Sequence, residues 1–260
     1  MSATKMKIAQ IVSTFPPYHG GMGNVAYQYA RGLAERGHEV TVFTPDFGRR
    51  AWAGEKFEVR LLRPAIQYSN AAWVPGLHKN LADFDVVHFH YPFLGGEFVL
   101  ASKSPLVVTY HMDLKGTALM KPCFAIYQRL FLPWLFRKAK AVIFTSDDYM
   151  RNSFAAASRY REKFVSMPLG VADEFKPAVA FAPDFWRSKN ITKAKVILFV
   201  GGLDRAHAFK GLDVLLEAFS KIKDPSVALA IVGEGNLKEK YQAGVSRSGL
   251  GNVYFLGRAS

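Results

Sequence analysis

The stretch Val196-Ile197-Leu198-Phe199-Val200-Gly201-Gly202 decides the fold class. Five consecutive apolar residues without polar alternation are typical of a strand buried on both faces, and such strands belong to parallel sheets covered by helices. The two glycines predict a tight turn where the strand ends. An amphipathic helix is expected after Gly211, because apolar residues recur there at helical spacing: Leu212, Leu215, Leu216, Phe219 and Ile222. Strand, turn and helix in this order predict an α/β unit.

The same alternation of short apolar runs and helix-length segments extends through the whole chain. A first series of predicted strands comprises Lys7–Ser13, Glu39–Thr44, Phe57–Leu62, Asp85–His90, Leu106–Tyr110, Ala141–Thr145 and Lys163–Met167. A second series comprises Lys195–Val200, Ala228–Val232 and Val253–Leu256. The pattern predicts an α/β fold with two Rossmann-like, doubly wound parallel-sheet domains. Prolines and glycines between the two series indicate domain 1–176, linker 177–193 and domain 194–260, with one ligand cleft expected between the domains.

The second predicted domain is incomplete, because a doubly wound sheet usually has about six strands and this series supplies three. In the usual strand order, Lys195–Val200 would then lie at an open sheet edge. We therefore expect residues 1–175 to fold stably, and residues 195–260 to be marginally stable, prone to self-association and inactive on their own or together with residues 1–175.

Composition and charge exclude several classes of protein. The chain has 260 residues, of which 50% are hydrophobic and 21% charged, as in ordinary globular proteins. The single Cys123 excludes a disulfide framework and a cysteine-rich zinc module. A net charge of +13 suits an anionic small molecule, an anionic membrane surface or nucleic acid. No signal peptide is evident, and the apolar stretch Pro122–Phe136 is too short and interrupted to span a bilayer, so we expect a cytoplasmic protein.

The first candidate binding motif is Tyr18-His19-Gly20-Gly21-Met22-Gly23, which joins the first strand to a helix predicted over Met22–Arg36. Glycines there allow close backbone approach, and a helix N-terminus attracts an anion. A tight turn without a ligand is one alternative. A dinucleotide-binding fingerprint, Gly21-x-Gly23-x-x-Ala26 followed by Asp46, is another and would indicate an NAD-dependent enzyme. The long loop before Gly20 argues against that fingerprint, which normally starts directly at the strand end.

The second candidate motif, Thr109-Tyr110-His111-Met112-Asp113, ends another predicted buried strand. A histidine at this strand end can hydrogen-bond a sugar hydroxyl or stabilise charge in a transition state. The alternative is a structural histidine bonded to Asp113 or to a carbonyl group. A metal site that also includes His88 and His90 lacks diagnostic ligand spacing, so we expect no metal.

Two further motifs end strands of the second series. The loop from Gly201 to Gly211 carries Arg205 and Lys210 before a helix, and two fixed cations there suit a diphosphate. This loop lacks the residue order of a Walker loop. The motif Ile231-Val232-Gly233-Glu234-Gly235 is a weaker signal, because a plain strand–helix turn explains it equally well.

Taken together, the motifs resemble those of the family 4 glycosyltransferases, which have the two-domain GT-B architecture and retain anomeric configuration. Seven matches follow in order along the chain: Gly20-Gly21, Asp85-Val86-Val87-His88, Thr109-Tyr110-His111-x-Asp113, Met167-Pro168-Leu169-Gly170-Val171-x-x-x-Phe175-x-Pro177, Val200-Gly201-Gly202-Leu203, Lys210-Gly211 and Val232-Gly233-x-Gly235. The resemblance implies transfer of a sugar from a nucleotide sugar to an acceptor hydroxyl, in the synthesis of a glycan, glycolipid or surface polysaccharide.

The resemblance also implies roles for particular residues. His111 would be the catalytic residue beside the donor sugar. The donor diphosphate would be bound by Gly20, Gly21, Arg205 and Lys210. The donor base or sugar would lie near Gly233, Glu234 and Asp113, and the acceptor near Tyr18, His19 and Tyr110. No metal or other cofactor is implied, because the nucleotide sugar is a substrate.

The chain departs from the family pattern at two places. Gly202 stands where the family often has arginine, which makes Arg205 the expected substitute. The chain also stops before the segment in which the family's Glu-x7-Glu motif would contact the donor, which leaves a non-catalytic nucleotide-sugar-binding module as an alternative.

The expected partners are a nucleotide sugar, a glycan or lipid-linked acceptor, and an anionic membrane contacted peripherally at the inner face of the plasma membrane. Nucleic acid is not expected, because no recognition motif accompanies the basic charge.

Overall fold

The computed structural model of the chain describes residues 4–18, 20–46, 48, 52, 54–68, 70–114, 119–171, 183–193 and 195–258. The chain divides into two compact units, Met1–Val171 and Ala172–Ser260, and each unit is described by itself.

The first unit is built around a sheet of seven parallel strands. The strands of this unit are β1 (Lys7–Ile11), β2 (Glu39–Pro45), β3 (Glu58–Leu62), β4 (Ile66–Tyr68), β5 (Ala71–Trp73), β6 (Val86–Tyr91), β7 (Leu106–Tyr110), β8 (Ala139–Phe144) and β9 (Phe164–Ser166). Strands β4 and β5 lie outside the main sheet and form a separate antiparallel hairpin. The order in the main sheet is β3-β2-β1-β6-β7-β8-β9, a doubly wound arrangement. All seven strands of the first predicted series are confirmed, whereas the β4–β5 hairpin was not predicted.

Helices α1 (Gly21–Glu35), α2 (Lys121–Lys138) and α3 (Asp147–Asn152) accompany this sheet. Helix α1 buries Gly23, Ala26, Ala30 and Ala34, small residues that let its backbone lie close to the sheet. Gly37 follows α1 with φ +91°, a left-handed conformation typical of a residue just beyond a helix. Within the described residues, no helix combines the length and the apolar character needed to cross a bilayer.

The two faces of the sheet have different contents because successive side chains of a strand point to opposite sides. Ile11, Phe89 and Val108 belong to the larger apolar core on one face, and Ile8 and Val12 pack beneath α1 on the other. Five polar side chains of the three central strands share the α1 face: Gln10, His88, His90, Thr109 and His111. The His111 side chain is partly exposed, and the other four are buried. This polar row leads to the carboxyl edge of the sheet.

The second unit contains three parallel strands in the order β10 (Lys195–Val200), β11 (Val227–Val232) and β12 (Val253–Gly257). Helices α4 (Pro183–Ser188), α5 (Leu212–Ser220) and α6 (Lys238–Arg247) belong to the same unit. The three predicted strands are confirmed, and β10 lies at a sheet edge as expected. The expectation that β10 is buried on both faces is wrong, because 52% of Leu198 and 63% of Val200 are exposed.

Part of the predicted linker 177–193 packs on the second unit. Ile191 is buried with Ala228 and Ala230 of β11, and Trp186 of α4 packs against the same cluster. Residues 177–182 lie outside the described residues.

Candidate functional site

The loop before α1 leaves the first turn of that helix open. Gly20 precedes the helix in an extended conformation, and a Cβ atom added to Gly21 would meet nothing within 4 Å. Gly23 differs, since a Cβ atom there would lie 2.7 Å from the carbonyl oxygen of Thr14. Gly20 and Gly21 therefore leave room for a ligand at the helix N-terminus, whereas Gly23 is required for packing against the chain's own loop.

The expected acceptor residues of this loop are only partly placed. The Tyr18 hydroxyl donates to Oδ1 of Asn70 at 2.6 Å, which ties the loop to the β4–β5 hairpin. His19 lies outside the described residues.

Three imidazoles line up along the α1 face of the sheet. The rings of His88 and His90 stack with centroids 4.4 Å apart, and those of His90 and His111 with centroids 5.2 Å apart. Nδ1 of His90 lies 2.9 Å from Nε2 of His111, while Nε2 of His88 lies 2.7 Å from the hydroxyl of Thr109. Tyr29 of α1 covers this row, with its ring centroid 5.5 Å from that of His88.

Burial makes these histidines neutral near physiological pH. It lowers the pKa of His88 to about 3 and that of His111 to about 4. It also holds the pKa of His90 well below its ordinary value. His111, at the end of β7, is the member of the row that keeps exposed surface. His111 can therefore present an uncharged imidazole at the sheet edge. There the ring can donate a hydrogen bond to a ligand or accept one from it.

Tyr110 and Asp113 form a separate structural cluster. The Tyr110 hydroxyl donates to Asp113 Oδ1 at 2.6 Å, and the Phe154 backbone N–H donates to the same oxygen at 3.1 Å. The Asp113 backbone N–H donates to the Tyr149 hydroxyl at 2.6 Å. The expectation that Tyr110 lies beside the acceptor does not fit a side chain without exposed surface, which faces the larger core on the side of the sheet opposite His111.

These contacts also occupy the Asp113 carboxylate. It accepts hydrogen bonds from groups of the chain itself and is therefore not free to bind a donor sugar. Nor does it join the imidazoles: among the described residues, no three His, Cys, Asp or Glu side chains are grouped so that they could hold a metal ion.

In the second unit, Lys210 folds back over the end of β10. A Cβ atom added to Gly201 would lie 2.9 Å from Cδ and 3.2 Å from Nζ of Lys210. The ammonium group therefore lies beside the backbone of the glycine loop. Arg205 begins the 3-10 helix Arg205–Lys210 and is exposed, without a described contact to Gly201 or Lys210.

An Asp204–His207 pair covers Gly202. The carboxylate of Asp204 accepts from the backbone N–H of His207 at 3.1 Å, and both its oxygens lie 2.9 Å from Nδ1 of that ring. A Cβ atom on Gly202 would come within 2.6 Å of the same nitrogen, so the imidazole fills the space that a side chain at this position would need. The sequence analysis did not single out Asp204 and His207, although both lie inside the loop it identified.

The loop after β11 packs directly against the first glycine loop. Leu203 N–H donates to the Glu234 carbonyl oxygen at 2.9 Å, and a Cβ atom on Gly233, whose φ is +155°, would overlap the Gly201 carbonyl oxygen. The Glu234 carboxylate is paired with Lys238 of α6 at 2.7 Å. Gly233 thus allows two strand ends to meet, and Glu234 presents a paired, half-exposed carboxylate at the same edge.

Solved structures share this fold. HepE of Anabaena, solved in complex with UDP and glucose, superposes with a TM-score of 0.70 at 19% sequence identity, over 98% of this chain and 70% of that one. The likeness identifies the fold as that of the GT-B glycosyltransferases, with Rossmann-like domains.

The family follows from the sequence match. Residues 19–175 match the model of Glycosyltransferase Family 4, and residues 194–260 match Glycosyl transferases group 1. The chain belongs to Glycosyltransferase Family 4. This membership supports sugar transfer over the nicotinamide-dependent alternative.

Curated relatives give the same family context. The chain is 28% identical over 263 residues to O-antigen chain mannosyltransferase C of Escherichia coli, an alignment that covers 97% of this chain and 67% of that protein. It is 32% identical over 182 residues to D-rhamnosyltransferase WbpZ of Pseudomonas aeruginosa, with coverage of 68% and 44%. The matches thus span about two thirds or less of these relatives' lengths.

Proposed function

We propose that the chain belongs to a retaining glycosyltransferase, and that the carboxyl edges of its two sheets bind the donor and carry the catalytic residue. Such an enzyme moves a sugar from a nucleotide sugar to an acceptor hydroxyl in glycan, glycolipid or surface polysaccharide synthesis. The observation that carries the proposal is the Lys210 ammonium beside the backbone of Gly201, at the carboxyl end of β10, in a chain of this family. The names of the relatives favour a mannose or 6-deoxyhexose donor.

In this proposal, the second unit stabilises the leaving nucleoside diphosphate. Negative charge grows on the phosphate as the glycosidic bond breaks, and a fixed cation with nearby backbone N–H groups opposes that charge. Lys210 would supply this cation, because its ammonium group lies beside the Gly201 backbone, and Arg205 is exposed on the same loop. We propose no metal or other cofactor, because these two side chains supply the positive charge. Gly233 and Glu234 would lie near the base or sugar of the donor.

The first unit would supply the open N-terminus of α1 and the imidazole of His111. Gly20 and Gly21 expose backbone N–H groups to which an anionic oxygen can bind. Neutral His111 would hydrogen-bond the transferred sugar without adding charge. Tyr18 and His19 remain proposed acceptor neighbours.

The test is incubation of the chain with a panel of nucleotide sugars, with released nucleoside diphosphate and thermal shift as readouts. Release with at least one donor would support transfer by the chain, provided that it is lost in Lys210→Ala and little changed in Lys223→Ala, an exposed lysine before the start of β11. Nuclear magnetic resonance of the product should show the donor's anomeric configuration. A thermal shift without release would instead support a non-catalytic binding module, and a shift with NAD(H) alone would overturn the proposal.

A specific surface of the first unit also favours peripheral binding to an anionic membrane. Three apolar side chains of α2 follow one another at four-residue spacing and are exposed: Ile126 at 60%, Leu130 at 66% and Trp134 at 58%. Such a stripe is typical of a helix that lies in a bilayer interface.

Basic residues adjoin this apolar stripe. They line a cavity of about 580 Å³ together with Trp134, and none of them has a carboxylate partner in the described part of the chain: Lys103, Arg137, Lys138 and Lys140. The Arg137 guanidinium lies 4.4 Å from the Trp134 ring centroid. Positive charge beside exposed apolar surface matches anionic headgroups above acyl chains.

Vesicle sedimentation tests the membrane proposal. We expect the chain to bind phosphatidylglycerol vesicles at low salt and to dissociate from them as salt is added. It should not bind phosphatidylcholine vesicles. Lys140→Glu should weaken binding severalfold, since each basic residue near the surface contributes about 1 kcal/mol. Lys223→Glu in the second unit is the matched control. If all protein stays in the supernatant at low salt, the proposal fails.

A further inference from the structure

Gln10 is a fully buried glutamine in β1, beneath α1. Only one orientation of its amide satisfies every neighbour. In that orientation the amide nitrogen lies 3.0 Å from the Ala26 carbonyl oxygen and 3.2 Å from Nε2 of His90, and the amide oxygen lies 3.0 Å from the backbone nitrogen of Ala30. The reverse orientation would set oxygen against the Ala26 carbonyl and N–H against the Ala30 N–H. The backbone of α1 therefore fixes which end of Gln10 faces His90.

This orientation determines the positions of the protons along the two imidazoles. Because the Gln10 amide donates to Nε2 of His90, that nitrogen is an acceptor, and a neutral ring must then carry its proton on Nδ1. Nδ1 of His90 lies 2.9 Å from Nε2 of His111 and therefore donates to it. Nε2 of His111 is then an acceptor, and the proton of a neutral His111 sits on Nδ1. Burial keeps both rings neutral, since it lowers the pKa of His111 to about 4 and holds that of His90 well below its ordinary value.

We propose that Gln10 is a positioning residue that holds His111 in its Nδ1–H tautomer, so that the free ring nitrogen of His111 is a hydrogen-bond donor. In the described part of the chain, Nδ1 of His111 has no hydrogen-bond partner. Beside His90, His88 stacks on the ring and Tyr29 packs at a tilt. Among the described residues neither hydrogen-bonds to His90 or His111, and His88 bonds Thr109 instead.

The chemical consequence concerns how His111 can act. A neutral ring in this tautomer donates to a sugar or phosphate oxygen, and cannot take a proton on the nitrogen that already carries one. The inference rests on the proposed function only for the identity of that oxygen. It assigns His111 the role of a neutral donor rather than of a general base.

The experiment is a long-range ¹H–¹⁵N spectrum of the full chain with ¹⁵N-labelled histidine, recorded near neutral pH without any nucleotide. Loss of one ring pattern in His111→Gln assigns the His111 signals. We expect Nδ1 of His111 to carry the proton and Nε2 to be bare. A proton on Nε2, or an even mixture of tautomers, would overturn the inference.

Variants test the cause. In Gln10→Met the side chain can no longer donate to Nε2 of His90, so the His90 tautomer is not fixed and His111 should show a mixture of tautomers. Should Gln10→Met not fold, Gln10→Leu removes the same donor with a smaller side chain and should give the same mixture. Thr109→Val is the matched control, since it removes the His88 hydrogen bond and should leave His111 unchanged. An unchanged His111 pattern in every Gln10 variant that folds would refute the positioning role.

The result can be separated from the fate of the proposed function. The tautomer is measured without substrate, so it decides the inference even if no nucleotide sugar binds. In a chain that transfers sugar, Gln10→Met should lower kcat about tenfold, the equivalent of one hydrogen bond, at unchanged nucleoside diphosphate affinity.

Discussion

The buried imidazole row should make the first unit sensitive to mild acid. A native histidine held neutral by burial takes up almost no proton at pH 5, whereas the same residue in the unfolded chain, with a pKa near 6.5, is mostly protonated. Because the unfolded state then binds more protons, the free energy of unfolding falls as pH falls below about 6.5 and is fully retained above it.

The magnitude follows from the lowered pKa values of His88, His90 and His111. Between about pH 7.5 and pH 5, His88 and His111 each remove about 2 kcal/mol from the free energy of unfolding, about 4 kcal/mol together, and His90 adds to this loss. Carboxylates contribute little in this window. Glu39 and Glu58, whose pKa values are lowered by hydrogen bonds from Lys5 and Arg60, stay ionised above pH 5.

Urea unfolding followed by tryptophan fluorescence measures this loss. Trp186 belongs to the second unit, so Trp186→Phe leaves only the tryptophans of the first unit: Trp52, Trp73 and Trp134. With a slope of about 2 kcal/mol per molar urea, the midpoint should fall by at least about 2 M between pH 7.5 and pH 5. His88→Gln should reduce that fall by about 1 M, and His207→Gln in the second unit should not change it. An unchanged midpoint across this pH range would refute the burial of neutral imidazoles.

Two further predictions concern the glycine loops. Lys210→Ala should weaken nucleoside diphosphate binding by about 1.5–3 kcal/mol, roughly 10- to 100-fold in Kd by calorimetry, because it removes one charge-assisted hydrogen bond. The control variant Lys223→Ala should bind normally. Equal affinities in the two folded variants would contradict the phosphate assignment. Gly23→Ala should lower the free energy of unfolding by about 1–3 kcal/mol, because its Cβ atom would lie 2.7 Å from a backbone oxygen of Thr14. The control variant Gly21→Ala should fold normally. A Gly23→Ala chain as stable as wild type would show that the loop can move to make room for the added methyl group.

The sequence predicted the fold well because the fold depends on local pattern. Continuous apolar runs, as in β10, are found in the expected places, and Gly37 ends α1 in a left-handed conformation as its position indicated. The prediction was wrong where burial depends on what packs against a strand. The run of β10 looks doubly covered, yet 63% of Val200 is exposed at the sheet edge.

The candidate site was predicted less completely, because it depends on side chains from different strands. His111 could be singled out at the end of one apolar run. The sequence did not show that Gln10 reaches His90 across the sheet, since their separation of 80 residues carries no local signal. The available sign was Gln10 itself, a polar residue among the apolar residues Ile8, Ala9 and Ile11 of β1. Tyr110 was misplaced for a related reason, because alternation along β7 sends it to the face opposite His111.

The most direct test of the central claim, that the end of β10 binds the donor diphosphate, is backbone amide resonance mapping of the full chain. Uridine, guanosine, adenosine and thymidine diphosphates would be titrated separately, with NAD as the comparison ligand. The account predicts that at least one nucleoside diphosphate shifts the signals of Gly201, Gly202 and Gly233, and that Lys210→Ala suppresses these shifts. If no nucleoside diphosphate perturbs these glycines, or if NAD alone shifts signals at Gly21 and Gly23, the account is contradicted.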